Sequence, residues 1–273
     1  MSEELKTKLI HVEDAALDLM EGDEKMKLLR WTVSYLVVAM CAGFFCGVER
    51  AYAKNPSVKV EKASSYGLGD GYLEKYRDNQ DVQQIILVEQ SRRRSRLGTL
   101  YLLEKCAGNK WKETLQCNAF LGKKGIDKTK EGDRRTPTGD YGVTMAFGIK
   151  DDPGTKMPYV KLTDKMDICG EEENYNQFVD VTKVNHKCGE DDQRLIHYVP
   201  QFNYVLFIDY NKEGIFGKGS AIFLHCRGKK RYTYGCVAVT EEDMVRVMQQ
   251  VDKNVRICIY PNRKSTSNKL IIH

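Results

Sequence analysis

The chain has 273 residues, 43 Lys+Arg against 38 Asp+Glu, 41% hydrophobic residues, 22 Gly and 6 Pro. This composition excludes a collagen, a low-complexity tail and a disulfide-dense miniprotein, and the apolar fraction excludes a wholly disordered chain. The length suits one large domain or two small ones, and a single long apolar run excludes a multi-span membrane protein.

That run is Trp31–Val48, eighteen residues without a charge. At about 1.5 Å per residue a helix of that length spans roughly 27 Å, close to the hydrocarbon thickness of a bilayer. Lys25, Lys27 and Arg30 precede it, and Ala51-Tyr52-Ala53 follows it in the small-x-small pattern of a signal-peptidase site. Read from Met26, the segment is a well-formed signal peptide. Read from Met1, it carries an acidic preface and is equally an uncleaved anchor. Either way the expectation is an N-terminal signal or transmembrane helix within residues 1–53 and an exported remainder. Residues 1–53 hold 6 basic and 9 acidic side chains, and the remainder holds 37 and 29, a net charge of +8. A cationic exported domain suits an anionic cell-wall or membrane surface, and export argues against nucleic acid.

Two of the nine cysteines, Cys41 and Cys46, lie in the apolar run. Seven remain, so at least one stays unpaired within a monomer and is a place to look for a nucleophile. Cys169 and Cys188 flank the acidic stretch Glu171–Glu173. They suit a disulfide or two free thiols better than a metal site, which would want His or closer Cys spacing.

Residues 54–81 are polar and Gly-rich, a linker or loose entry segment. Beyond them the chain is strand-like. Gln84–Val88 is a short apolar strand, followed by a solvated basic turn around Arg92, Arg93, Arg94 and Arg96. Residues 98–105 and 110–117 flank Ala-Gly-Asn and predict a β-hairpin. Further strands are expected over Tyr198–Tyr210, Ser220–Leu224 and Val255–Tyr260. One helix is expected over Glu241–Val251, capped by Thr240, with acidic residues in its first turn. Its Met244, Val247, Met248 and Val251 recur at helical spacing and make a core stripe. The reading is a mainly β single domain over 82–262, with a polar tail over 263–273.

The chemistry concentrates in Gly219–Val239. A strand delivers His225, a short basic loop follows, and Thr233-Tyr234-Gly235-Cys236 makes a turn before the helix. Cys236 is the candidate nucleophile. His225 is the candidate base that takes its proton or holds its thiolate as an ion pair. Thr233, Tyr234 and Gly235 would support the turn, whose amides could bind an oxyanion. Spacing alone favours a structural thiol and a satisfied core histidine. Cys226 should point to the opposite strand face as a core thiol, and His186 and His197 have no recognisable partner spacing. Asp133, Arg134 and Arg135 read as loop charges, with Arg also suited to a substrate carboxylate.

A second block stands upstream: Gly122-Lys-Lys-Gly125, then Lys130-Glu-Gly-Asp-Arg-Arg-Thr-Pro-Thr-Gly-Asp-Tyr141. With Tyr175-Asn176 and Tyr210-Asn211, these segments resemble the YkuD-type L,D-transpeptidases, in a divergent branch carrying Ser/Thr-x-Gly-Cys. The resemblance runs from about Gln84 to Tyr260. It implies a β-sandwich-like catalytic domain acting on peptidoglycan stem peptides, with no metal and no organic cofactor. Cys236 would attack the carbonyl of the third stem residue and expel D-Ala. An amine would resolve the thioester into a 3→3 cross-link, or water would resolve it, as in an L,D-carboxypeptidase or hydrolase acting on stem peptides or wall-linked protein. His225 would be base and then proton donor, and Tyr175 and Asn176 would line the stem-peptide groove. Tyr234 and Ala238 depart from the Ser/Thr-His-Gly-Cys-x-Arg or -Asn of cross-linking members, which leaves transfer and hydrolysis open. A catalytically silent wall-binding module is the alternative from another class; retention of Cys236 and His225 argues against it. A papain-like order is disfavoured, because there the Cys precedes a distant His.

Overall fold

A computed structural model describes residues 73–107, 110–184 and 194–261, which belong to one compact unit over residues 62–273. The expected N-terminal membrane or signal segment and the 263–273 tail lie outside the described residues. No helix among the described residues is long and apolar enough to cross a membrane.

Eleven strands are described: β1 (Gln84–Gln90), β2 (Leu97–Cys106), β3 (Lys110–Phe120), β4 (Gly139–Gly148), β5 (Tyr159–Lys161), β6 (Met166–Ile168), β7 (Phe178–Asp180), β8 (Val205–Ile208), β9 (Phe223–Cys226), β10 (Val237–Val239) and β11 (Arg256–Pro261). The helix α1 spans Glu241–Gln250. Nine strands form one sheet in the order β11-β1-β2-β3-β10-β9-β8-β4-β5, and β6 and β7 form a separate pair. The large sheet closes on itself: β11 also pairs with β4, from Arg256↔Gly142 to Ile259↔Gly139. The expectation of a mainly β domain with one helix after Cys236 agrees with this. The expected sandwich is corrected to a single closed, barrel-like sheet, because β4 offers its first half to β11 and its second half to β8.

Period-two alternation sorts the strand residues between two faces. Ile86 and Val88 of β1 join the main core, together with Leu206, Ile208, Leu224, Cys226, Val237 and Val239. The apolar stripe of α1, Met244, Val247 and Met248, covers that core, with Val251 just past its end. Ile85 and Leu87 point the other way, into a second cluster with Leu73, Tyr76 and Val82. Packing therefore reaches upstream of residue 82, into the stretch expected as linker. On the far side, Val205, Phe207 and Phe223 form a third, aromatic cluster with Phe147 and Phe202. Burying side chains of this size contributes about 1.5–3 kcal/mol each, so the three clusters account for the fold's main driving force.

Local signals explain the element ends. The Thr240 hydroxyl accepts the Asp243 amide at 3.1 Å and caps α1. The strand expected over Tyr198–Tyr210 shrinks to Val205–Ile208, because 198–203 turns back on itself with the Phe202 N–H donating to the Tyr198 carbonyl at 2.8 Å. The strand expected over Ser220–Leu224 begins only at Phe223, because Ala221 takes a positive φ of 52°.

Candidate active site

The alternation that buries Val237 and Val239 turns Ala238 to the opposite face, with Cys236 two residues before it. β9 runs parallel to β10 with His225 opposite Ala238. The neighbouring residues Leu224 and Cys226 enter the main core, so His225 shares the outer face with Ala238. Cys226 is fully buried, as a core thiol on the face opposite His225. Cys236 and His225 thus reach one cavity of about 430 Å³, lined also by Tyr198, Phe202, Thr233, Tyr234 and Ala238. His197 is exposed on a 3-10 turn, and His186 lies outside the described residues.

His225 is 7% exposed and stands edge-to-face with Phe202, centroids 5.6 Å apart. Its Nδ1 lies 2.7 Å from the Cys226 carbonyl oxygen. A carbonyl only accepts, so Nδ1 carries the proton and Nε2 keeps a free lone pair. Burial disfavours the imidazolium and lowers the His225 pKa to about 4. The half-buried Cys236 thiol donates to the Ala221 carbonyl at 3.2 Å, and its Sγ accepts the Phe223 amide at 3.4 Å. Burial raises its pKa to about 11, against smaller lowering effects from the Phe223 amide and the Lys128 ammonium. Both groups are therefore neutral at rest. Of the two expected roles, proton acceptance by His225 fits this state, and a standing thiolate–imidazolium pair does not.

The upstream block builds the floor beneath Cys236. Thr136 is fully buried; its hydroxyl donates to the Cys236 carbonyl at 3.1 Å and accepts the Gly122 amide at 2.8 Å. Gly122 must be glycine, because a Cβ there would lie 2.6 Å from the Arg134 carbonyl oxygen. Thr233 is buried; its hydroxyl donates to the same Cys236 carbonyl at 2.6 Å and accepts the Gly235 amide at 3.2 Å. At Gly235 a Cβ would stand 3.0 Å from Ile222 Cδ1, so the glycine is explained by close packing.

Asp133 ties the loop together. Its carboxylate accepts the amides of Thr129, Lys130 and Arg135 and pairs with Lys128 at 3.2 Å. Those bonds outweigh burial and hold its pKa low. The Lys128 side chain is 1% exposed, and its Nζ lies 3.7 Å from where a Gly235 Cβ would be. A buried Lys side chain thus sits beside the residue that precedes Cys236.

Tyr175 and Asn176 do not line the cavity. Tyr175 is buried and its phenol donates to Glu131 at 2.7 Å. Asn176, at φ 65°, donates to the Tyr210 and Asn211 carbonyls, and its side-chain oxygen accepts the Ala221 amide at 2.8 Å. Ala221 in turn presents the carbonyl that holds the Cys236 thiol, so Asn176 reaches Cys236 through one intervening residue. Asn211 braces the same segment through the Ile215 and Gly219 carbonyls, each at 3.0 Å.

Tyr234 is 58% exposed at the cavity mouth and accepts a hydrogen bond from Lys230 Nζ at 3.1 Å. That bond lowers the Tyr234 pKa. Among the described residues no cluster of His, Cys, Asp and Glu has the makings of a metal site. Cys169 is disulfide-bonded; Cys188, its expected partner, lies outside the described residues. Sequence reasoning gave Thr136 and Lys128 no role, and it did not reach Phe202 or Lys230. For Thr136 the signal was present, in the Thr-Pro-x-Gly block, but not the partner a hundred residues away.

The family described as YkuD, the L,D-transpeptidase catalytic domain, matches residues 83–259. Among solved structures the chain is similar to L,D-transpeptidase 1 of Mycobacterium tuberculosis, with 12% identity, 65% of this chain and 62% of that chain covered, and a TM-score of 0.32. It is similar to an L,D-transpeptidase from Mycobacterium smegmatis, with 11% identity, 65% and 58% covered, and a TM-score of 0.30. A third is the L,D-transpeptidase of Xylanimonas cellulosilytica, with 13% identity, 67% and 62% covered, and a TM-score of 0.30. The chain spans 58–62% of the length of these structures. No curated protein matches it.

Proposed function

This chain belongs to the YkuD family of L,D-transpeptidase catalytic domains, and on that premise we propose that it is an exported bacterial acyltransferase working on peptidoglycan stem tetrapeptides through Cys236. The observation that carries the reading is the meeting of Cys236 and His225 in one cavity, with the His225 tautomer fixed so that Nε2 is free. Nε2 takes the thiol proton as Sγ bonds to the carbonyl carbon of the third stem residue. The tetrahedral oxyanion rests on amides of the Thr233–Cys236 turn, where the 3.2 Å bond from Gly235 to Thr233 is long enough to exchange. Collapse breaks the bond to D-Ala, whose nitrogen receives the proton from Nε2, and leaves a thioester. An acceptor amine then gives its proton to Nε2, bonds to the same carbon and releases the thiol.

Hydrolysis of the thioester is the second reading, favoured by one feature of the cavity. Its lining includes Lys229 and Lys230 and no carboxylate. An acceptor amine arrives as an ammonium, which this lining repels, whereas water is neutral. Ala238, beside His225, also has no polar side chain with which to orient an acceptor. Export through residues 1–53, and adsorption of the cationic domain to the anionic wall, complete the reading.

The test is intact-mass spectrometry of the full chain with purified tetrapeptide muropeptides, alongside Cys236→Ala. The expected result is a mass gain equal to the stem less D-Ala, absent in the variant. Released dimers mark transfer and released tripeptides mark hydrolysis. No adduct and no product would overturn the reading in favour of a silent wall-binding module.

A further inference from the structure

The basic turn between β1 and β2 does not stand alone. Arg92, Arg93, Arg94 and Arg96 are exposed on it. Gly125 lets this turn close on the loop after β3: a Cβ there would lie 3.2 Å from the Arg94 Cα and 2.7 Å from Gln90 Nε2. The Leu121 amide donates to the Arg96 carbonyl at 2.9 Å, and Gln90 Nε2 donates to the Ser95 carbonyl at 2.7 Å. On the other side the Lys124 amide donates to the Arg134 carbonyl at 3.0 Å. Lys123, Lys124 and Arg134 are exposed as well. The Gly122–Gly125 segment thus carries two lysines between two arginine-bearing loops.

Two of these arginines occupy backbone that L side chains avoid. Arg94 has a φ of 59° and Arg134 a φ of 60°, where glycine or asparagine would sit at lower cost. Among the described residues, none of the seven cations meets a carboxylate within ion-pair distance. Arg96 and Lys123 rest over the Tyr232 ring at 5.8 and 5.5 Å, and Arg134 over the Tyr234 ring at 5.7 Å. Ring faces hold cations in place without neutralising them. Like charges held this closely repel one another, and a partner with several anionic groups relieves that repulsion. The charges run along two loops, which suits a chain of anions better than a single one. Five of the seven are arginines, whose planar fork matches the paired oxygens of phosphate. A lipid surface would call for apolar side chains to insert, and the exposed pair of that kind, Ile215 and Phe216, belongs to a different loop.

We infer that the Arg92–Arg96 turn and the Gly122–Gly125 segment, with Arg134, form a docking face for a linear phosphodiester polymer of the cell surface. The inference rests on the reading of the chain as exported, which puts the face outside the cell, and it names the anionic component to which the domain adsorbs. None of the seven cations lines the Cys236 cavity, but Tyr232 and Tyr234, the rings they rest on, do. The face therefore borders the cavity mouth without filling it. Docking there holds the cavity against the wall and leaves it open.

The test measures binding of fluorescently labelled poly(glycerol phosphate) to the full chain by anisotropy, at low and at physiological salt. Affinity should fall about tenfold or more between the two. Arg92→Gln with Arg93→Gln and Arg94→Gly should weaken binding about tenfold. Glycine relieves the backbone at position 94, so this triple should melt no lower than the parent chain. Lys123→Gln with Lys124→Gln, on the other loop, should weaken binding independently. Lys156→Gln with Lys212→Gln and Lys253→Gln removes the same charge as the first triple from exposed positions elsewhere, and should leave affinity within about twofold. Equal losses in the two triples, or no polymer binding at all, overturns the face. So does tenfold tighter binding of single-stranded DNA, polyglutamate or phosphatidylglycerol vesicles, since each assigns the face to another anion. Export is read separately, by labelling Cys106, an exposed free thiol, on intact cells with a membrane-impermeant reagent. A labelled chain that ignores the polymer sinks the face and keeps export. A chain that binds the polymer but is never labelled sinks the export reading, and the cell-surface partner with it. Acylation by a stem tetrapeptide, read by mass, should be unchanged in the first triple, whose residues lie outside the cavity; a loss there would make the turn part of the catalytic site and overturn its role as a docking face.

Discussion

A cavity whose thiol and imidazole are both neutral at rest should show it in the pH dependence of thiol alkylation. Burial holds the Cys236 pKa at about 11 and the His225 pKa at about 4. At pH 7 the thiolate fraction is then about 10⁻⁴, and it grows tenfold for each pH unit until the pKa is approached. Alkylation of Cys236 by iodoacetamide should therefore rise about 100-fold from pH 7 to pH 9, without an inflection between pH 5 and 8. Site-resolved peptide mass spectrometry is required, because Cys106 is an exposed free thiol that reacts in parallel. His225→Gln should leave this profile nearly unchanged while removing turnover with a stem peptide, since in the proposed mechanism His225 takes the proton only when a carbonyl is under attack. A rate already at plateau by pH 7, with an inflection near 6 that disappears in His225→Gln, would mean a standing thiolate–imidazolium pair and would refute the reasoning.

Lys128→Met should raise the Cys236 pKa and slow alkylation several-fold at fixed pH, whereas Lys128→Arg should not; an unchanged profile with a lower melting temperature would make Lys128 merely structural. Thr136→Val keeps the shape but strands the buried Gly122 amide, at an expected cost of about 1–3 kcal/mol; an unchanged urea midpoint would dismiss the Thr136 bridge. Asn176→Ala removes three hydrogen bonds and leaves Ala at a positive φ, so stability should fall by about 2–4 kcal/mol, and kcat with it; full stability in calorimetry contradicts this. His225 is depressed from 6.5 to about 4 on folding. The unfolded chain therefore binds a proton first as pH falls, and stability is lost between about pH 6.5 and 4. The loss amounts to about 3 kcal/mol. His225→Gln should flatten the pH 7 to 4 stability curve by roughly that amount; parallel curves would show that the histidine is not held neutral.

Elements whose causes are local were legible in the sequence. Thr240 with its acidic first turn and the Met244–Val247–Met248 stripe placed the helix to within a residue of its end. The Phe-Leu-His-Cys alternation by itself separates His225 from Cys226. The strand Gly139–Gly148 was invisible, because three glycines in ten residues read as turn, and what makes it a strand is distant: β11 pairs with it from more than a hundred residues away. Sheet closure has no local signature for the same reason. The extended reading of Tyr198–Tyr210 failed at its first half, where aromatic content suggested a strand but hydrogen bonds from Phe202 to Tyr198 and from Asn203 to Pro200 close turns.

The candidate site divides along the same line. Its candidate chemistry lies in one short segment, and its geometry comes from two others. The Thr136 hydroxyl reaches the Cys236 carbonyl from the closed end of the upstream loop. Lys128, buried by Gly219 on one side and Gly235 on the other, brings a charge from that same loop. Asn176 accepts the Ala221 amide, and the Ala221 carbonyl accepts the hydrogen bond of the Cys236 thiol. A Cβ at Gly122 or Gly219 would collide with these contacts, and Asn176 and Ala221 take positive φ. Gly122, Gly219, Gly235 and Asn176 thus carry the imprint of the site on three segments. That is why the Thr-Pro-x-Gly and Gly-Cys blocks are informative as a pair: the Thr136 hydroxyl of the first is bonded to the Cys236 carbonyl of the second.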